Sequence, residues 1–415
     1  MSMSRKDKVT IITNGYFPVP AVMGGAVEAL VENIIQQNEL LGKLDLNIIS
    51  CYDEQAYKIA KKYGETKVEF VKIPCWIKSL DQFCYFMVSH FFKKKDGLSF
   101  KCKFQRMYYV YKVGSMVNKK DYGKLVLENH PVLFRILKYK QNAKKYEGRY
   151  YFHIHNEVTK AHGCAQIMAN CKKVLGVSSY INQTFRTFLN HQLDGNTYAV
   201  LRNRINRNKF LVGISEERKK QLKEKYGLAD DDIILLFTGR FSPEKGVREL
   251  LEAFKQITNP KVKLLVVGGF FFGSGVTSSF ETEIRTLSES VKDQVRFTGY
   301  VDYANIPEYY GIADIVVVPS IWDDPAPLTV IESMTCGKPL ITTYSGGIPE
   351  YADQEHAILL KRDATMVNCL ADAIMLLAEN PLKRRTMEKN AINKTKNWTI
   401  ESYYEDFCML VSDES

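Results

Sequence analysis

Two series of short apolar runs, separated by helical segments, constrain this chain more than any other feature. The first series is VTIIT (9–13), LNIIS (46–50), KVEFVKI (67–73), KLVLEN (124–129), RYYFHIH (149–155) and KVLGVS (173–178). The second is DIILLFTG (232–239), VKLLVVGG (262–269), QVRFTG (294–299), DIVVVP (314–319) and KPLITT (338–343). Many of these runs are apolar throughout rather than alternating, the pattern of parallel strands buried on both faces. Strands joined through helices imply βαβ units. Two such series predict an α/β chain of two doubly wound, Rossmann-like domains. The break falls near 201–232, where LRNRINRNKF is polar and a charged helix, Glu216 to Tyr226, follows.

The 415 residues suffice for two large cores. The stretch MSMSRKDKVTIIT has no apolar run of signal-peptide length, and no segment reaches the roughly 18 apolar residues that span a bilayer. The nine cysteines are scattered, without a C-x-x-C pair, and read as reduced thiols. A cytoplasmic location is therefore expected. Charge is uneven: residues 1–205 hold 32 Lys and Arg against 16 Asp and Glu, so the first half carries +16 within a net +10. Such an excess faces something anionic, a nucleic acid or a lipid surface. No nucleic-acid reader motif is present, so nucleic acid is not expected as a partner.

Residues 78–122 depart from the pattern, with aromatics crowded among lysines. They read either as a helical insertion packed on the first domain or as an interfacial surface with an apolar face and a basic rim.

Four segments carry chemistry. After the first strand comes a loop with Gly24-Gly25 opening a helix, where backbone N–H groups can approach a phosphate. No G-x-G-x-x-G is present, so a dinucleotide fingerprint is absent. TGRFSPEKG (238–246) places Arg240 and Lys245 on one strand-end loop, a cation pair suited to a diphosphate. His155 closes an apolar strand, with His153 two residues earlier on the same side. No third ligand is visible at metal spacing, and His153 reads as structural. Finally, SIWDDPAPLTVIESMTCGK sets Asp324 after a buried strand and Glu332 eight residues on, inside the next helix. The helix N-terminus between these acids suits an anion. Asp323-Asp324 is not read as a metal pair, because Pro325 fixes the turn and the two acids point apart.

In order and position, these blocks resemble the retaining glycosyltransferases of family 4, with the nearest likeness to bacterial surface-polysaccharide and spore-coat-like enzymes. The likeness spans essentially the whole chain. It is strongest from Phe237 to Tyr351, in LFTGRFSPEKGVRELLEAF, VRFTGY and PSIWDDPAPLTVIESMTCGKPLITT. The resemblance implies the GT-B fold, two Rossmann-like domains facing across a cleft. It places the acceptor domain at 1–203, the nucleotide-sugar domain at 204–397, and a helix at 398–415 packing back on the first.

The same resemblance implies roles. Gly24 and Gly25 would form the loop over the donor diphosphate. Arg240 and Lys245 would bind that diphosphate and stabilise it as a leaving group, helped by the amides of Leu328 and Thr329. Glu332 would hold the ribose hydroxyls, and Tyr300 and Val301 would pack on the base. His155 and Asp324 would stand beside the sugar. The donor would be a nucleotide sugar, a UDP-sugar by family habit. The acceptor would be a glycan or a polyprenyl-linked sugar at an anionic membrane surface. No cofactor and no metal are implied, the cations and helix dipoles taking that place.

Three departures stand out. Asp324 replaces the usual Glu, Ala326-Pro327 replaces Phe-Gly, and Asn203-Arg204 replaces Asn-Gly, the last reading as a linker detail. A non-catalytic scaffold subunit and a sugar-nucleotide epimerase of the same fold remain open at this point.

Overall fold

The computed structural model describes residues 6–91, 102–211, 213–269 and 279–412. The chain divides into two compact units, residues 1–202 with 400–415, and residues 203–399.

The first unit is built on β1 (Asp7–Ile12), β2 (Leu44–Cys51), β3 (Thr66–Val71), β4 (Lys124–Glu128), β5 (Tyr150–Ile154), β6 (Lys173–Gly176) and β7 (Tyr198–Val200). All pairings are parallel, in the order β3-β2-β1-β4-β5-β6-β7. The order reverses between β1 and β4, where Val9 stands opposite Lys124 and Ile12 opposite Leu127. The helix Ala26–Leu41 buries Leu30, Val31, Ile34 and Ile35 at helical spacing against this sheet. The helix Ile400–Val411 belongs to the same unit: Tyr403, Tyr404, Phe407 and Val411 join Leu30 and Ile34 in one core. The Tyr404 hydroxyl donates to Asn38, whose side-chain oxygen also accepts the Leu44 N–H.

The second unit is built on β8 (Ile233–Thr238), β9 (Val262–Val267), β10 (Val295–Gly299), β11 (Ile315–Val318), β12 (Leu340–Thr343) and β13 (Ala357–Leu360), again parallel, in the order β10-β9-β8-β11-β12-β13. Its reversal lies between β8 and β11. The helix Val247–Phe254 buries Val247, Leu250, Leu251 and Phe254, an i, i+3, i+4, i+7 stripe. Gly246, at φ +69°, starts that helix, and a Cβ there would sit 1.8 Å from the Pro319 carbonyl oxygen. Only glycine lets the loops after β8 and β11 approach this closely. Two Rossmann-like parallel sheets thus make up the α/β architecture.

The 78–122 interval holds two helices, Cys75–Phe91 and Lys103–Lys119, with residues 92–101 outside the described set. Tyr109, Val110, Val113 and Val117 are buried, and the Tyr109 hydroxyl donates to the Ile49 carbonyl at 2.8 Å. Trp76 and Phe83 are 66% and 61% exposed, and Phe86, Met107 and Tyr111 are exposed as well. One face therefore packs as an insertion while another offers aromatics to the surroundings. Among the described residues, no helix is long and apolar enough to cross a membrane.

Candidate functional site

In open α/β sheets, ligands bind outside the carboxyl ends of the strands at the point where strand order reverses. Both units carry their chemically distinctive side chains there.

In the second unit, β8 leads into Arg240 and Lys245, and β11 leads into Asp324 and then the helix Leu328–Thr335, which carries Glu332. Lys245 Nζ lies 2.6 Å from Asp324 Oδ2. The Asp324 side chain is 6% exposed and that of Lys245 23%, so the ion pair is buried on the carboxylate side. The ammonium also stands 5.8 Å from the Trp322 ring centroid, within cation–π range. Arg240 is exposed on the same loop. Asp323 turns away from Asp324, taking the Arg362 guanidinium and the Gly346 N–H.

Pro327 caps the Leu328–Thr335 helix, and its carbonyl accepts the Val330 N–H at 3.1 Å. The Leu328 and Thr329 N–H groups are among the first-turn donors that have no partner within a helix. Together with the helix dipole they favour an anion at this end. Asn203 is buried, and its side chain donates to the Ala326 carbonyl at 3.3 Å while its N–H meets the Tyr351 hydroxyl. Asn203 thus braces the loop between Asp324 and the helix.

Glu332 is 3% exposed and takes a hydrogen bond on each oxygen, from the Tyr303 hydroxyl and the Tyr310 hydroxyl, both at 2.9 Å. Burial raises its carboxyl to about 7, against the opposing effect of the two tyrosine hydrogen bonds. Sequence reasoning missed both tyrosines. They lie 29 and 22 residues before Glu332, and no local pattern connects them. Tyr300 and Val301 line a cavity of about 270 Å³ with Thr298, Asp302 and Tyr309.

In the first unit, Gly24 and Gly25 lie in the loop between β1 and the helix Ala26–Leu41, at φ +76° and +107°. Beneath them is a residue not singled out from the sequence. Glu28 is 4% exposed, accepts from Asn14 Nδ2 at 3.1 Å, and has its carboxyl raised by burial to about 7.

His155, just beyond β5, is buried with His153 around Glu128 at the end of β4. His153 Nδ1 is 2.9 Å from Glu128 Oε1, and His155 Nε2 is 3.2 Å from Glu128 Oε2. Burial works to raise the Glu128 carboxyl, but the charge and hydrogen bond of His153, and then those of His155, outweigh it and hold it at about 2. Burial, and then His153, push His155 down to about 4 although Glu128 pulls the other way, so the His155 ring is neutral near pH 7.

The expectation that no third ligand accompanies His153 and His155 is corrected here. Glu128 brings a carboxylate within 4.8 Å of both ring nitrogens, a grouping that could hold a metal ion. Its spacing was hidden because Glu128 reaches the histidines across the β4–β5 pairing, where it stands opposite His153. Asp353, Glu355 and His356 form a second such group, in which Asp353 already pairs with Lys394 at 2.6 Å.

Residues 218–394 match the family model "Glycosyl transferases group 1". YtcC of Bacillus subtilis is 26% identical over 397 residues, covering 92% of this chain and 86% of that protein. Spore coat protein SA of the same organism is 25% identical, covering 92% of this chain and 93% of its own length. Among solved structures, HepE of Anabaena, crystallised with UDP-glucose, superimposes with a TM-score of 0.68 at 18% identity, covering 97% of this chain and 98% of that one. The fold is thus that of GT-B glycosyltransferases.

Proposed function

Taking the chain as a glycosyltransferase of the group 1 type, we propose that it belongs to the retaining family 4 enzymes. In this reading it transfers a hexose-type sugar from a nucleotide diphosphate sugar, a UDP-sugar by preference. The acceptor is a glycan or polyprenyl-linked sugar of surface polysaccharide biosynthesis.

One observation carries the reading. The loops at the strand-order reversal of the second unit carry a buried acid bonded by two tyrosines, a helix N-terminus and the Lys245–Asp324 pair. Each Glu332 oxygen keeps acceptor capacity beyond its tyrosine hydrogen bond, which ribose hydroxyls would take. Arg240, Lys245 and the Leu328 and Thr329 amides offer cationic and N–H stabilisation to a departing diphosphate. That set supplies the charge a metal would otherwise bring, so the reaction is proposed to be metal-independent. The UDP complexes of HepE support a uridine nucleotide.

For the chemistry, we favour attack on the face that the diphosphate leaves, with a donor phosphate oxygen accepting the acceptor's proton. Neutral His155 serves as an uncharged hydrogen-bond partner to the sugar, and Asp324 as the acid that reads it. Asp324 is one methylene shorter than the family's Glu, so it is the position at which sugar choice is set.

The first unit is proposed to bind the acceptor at the cytoplasmic face of an anionic membrane. The +16 charge of residues 1–205 and the exposed Trp76, Phe83 and Phe86 support this. Lys93, Lys94 and Lys95, in the aromatic and lysine-rich interval 78–122, lie outside the described residues.

Calorimetry against UDP-, GDP- and dTDP-sugars tests the donor. At 100 times its dissociation constant the right ligand stabilises the folded state by about 2.7 kcal/mol. No binding by any of them, or sugar transfer that survives in Lys245→Ala, would defeat the reading. Failure to bind anionic vesicles would defeat its membrane part.

A further inference from the structure

The loops after β1, β4 and β5 hold a second group of side chains, which the roles above leave unused. Arg106, near the start of the helix Lys103–Lys119, lies with its guanidinium carbon 4.4 Å from the Tyr16 ring centroid. Its Nη1 is 2.9 Å from His130 Nε2. Its Nε is buried and meets no hydrogen-bond partner. The His130 ring stands 6.0 Å, centroid to centroid, from that of His162.

The hydrogen bonding here is frustrated in one direction. His130 Nδ1 accepts the Val132 N–H at 3.2 Å. A neutral imidazole has one acceptor nitrogen only, so the ring cannot accept from both the Val132 N–H and the Arg106 guanidinium, which can only donate. Donors therefore meet donors, and an acceptor is lacking.

The electrostatics have the same sign. Burial, then Arg106 and His162, push His130 down to about 4. Burial, then Arg135, Arg106 and Lys160, lower His162. Burial lowers Arg106 itself, and only Tyr16 and Cys102 oppose that. No carboxylate acts on any of the three, and among the described residues none pairs with Arg106. Lys138 adds a further ammonium, bonded to the Gly163 carbonyl at 3.2 Å. A half-buried guanidinium among cations, with its Nε buried and unbonded, is costly unless a ligand completes it.

We propose that Arg106, His130 and His162 form an oxyanion subsite of the first unit, which takes a phosphate or diphosphate group carried by the acceptor. The subsite occupies the same carboxyl edge of β1, β4 and β5 as Glu28 and His155. The guanidinium fork matches phosphate geometry, and the bound oxygens accept from Arg106 Nε and His130 Nε2 together. The assignment to the acceptor rests on the first unit's proposed role; the anion site itself does not.

The test uses the full chain saturated with UDP, so that the second unit's cations are occupied, and titrates inorganic phosphate by calorimetry. Wild type is expected to bind phosphate, and Arg106→Gln to bind it at least tenfold more weakly with UDP affinity unchanged. The double variant Lys160→Ala/His162→Ala, on a surface loop, is the second reading should Arg106→Gln fail to fold. Octyl phosphate binding tenfold tighter than inorganic phosphate would mark a lipid-borne group. Equal affinities would mark a water-soluble phosphorylated acceptor. Phosphate binding that is the same in wild type and both variants overturns the subsite. Should UDP fail to bind while Arg106→Gln still loses phosphate, the donor reading falls and the subsite stands.

Discussion

The Lys245 ammonium and the Asp324 carboxylate, from loops that follow β8 and β11, are bonded to each other at 2.6 Å. The family resemblance implies separate roles for them, one toward a diphosphate and one toward a sugar. Bonded, they oppose each other: Asp324 neutralises the cation that the diphosphate needs. Asp324→Asn is therefore expected to bind UDP at least as tightly as wild type while slowing transfer tenfold or more. Lys245→Ala is expected to weaken UDP tenfold or more. It also strands a buried carboxylate, at a cost of about 2 kcal/mol once access of water to the Lys245 position is allowed for. Calorimetry and denaturant unfolding on the two variants check this. Weaker UDP binding in Asp324→Asn would refute the opposition.

Glu332 predicts a pH dependence with a definite sign. Burial raises its carboxyl from 4.5 to about 7 in the folded chain. The folded state then holds a proton that the unfolded state releases, so its contribution to stability is fullest below 4.5. That contribution is lost as pH rises through 7. Ribose hydroxyls donate best to the ionised form, so UDP affinity should climb between pH 6 and pH 8 and release a proton. Glu332→Gln should flatten both profiles. A UDP affinity that rises equally in the variant would place the titrating group on the nucleotide.

The strands legible from sequence are those buried on both faces. In β8 every residue after Ile233 is buried, and such a run has only one reading. β7 and β13 were not anticipated. Each lies at a sheet edge, β7 has three half-buried residues, and β13 has four residues behind a polar turn. Too few positions remain there for a period to show. The site divides in the same way. Arg240, Lys245, Asp324 and Glu332 announce themselves by their place next to strands and glycines. Tyr303, Tyr310, Glu28 and Glu128 act through contacts across the fold, and such a contact leaves no local mark.

Glu128 is expected to act through His155 rather than on any ligand. It accepts from both histidines, and its carboxyl is held at about 2 by His153 and His155 against burial. A lowered carboxyl stabilises the fold above pH 4.5 and loses that contribution as pH falls through 2. Glu128→Gln should cost about 1–3 kcal/mol at pH 7, the range for an unsatisfied buried partner. The difference from wild type should narrow as pH falls below 4.5. Transfer should drop more than tenfold with UDP affinity unchanged. A variant that loses stability but keeps its turnover would make Glu128 a structural residue only.

The two adjacent glycines predict unequal costs for the same substitution. A Cβ on Gly24 would meet nothing within 4 Å, so Gly24→Ala suffers only the left-handed backbone, about 1–2 kcal/mol. A Cβ on Gly25 would lie 2.2 Å from Glu28 Oε2. Glu28 is buried and tied to Asn14, so its carboxyl cannot swing clear without losing that bond. Gly25→Ala should therefore cost about 1–3 kcal/mol more than Gly24→Ala, the range for a displaced buried partner. Removing the obstacle should recover the excess: Gly25→Ala/Glu28→Ala should be less destabilised than the sum of its single variants. Residues in contact couple by about 0.5–3 kcal/mol in such cycles. Denaturant unfolding of the four proteins measures it, and strict additivity would show that the Gly25 requirement lies in the backbone and not in Glu28.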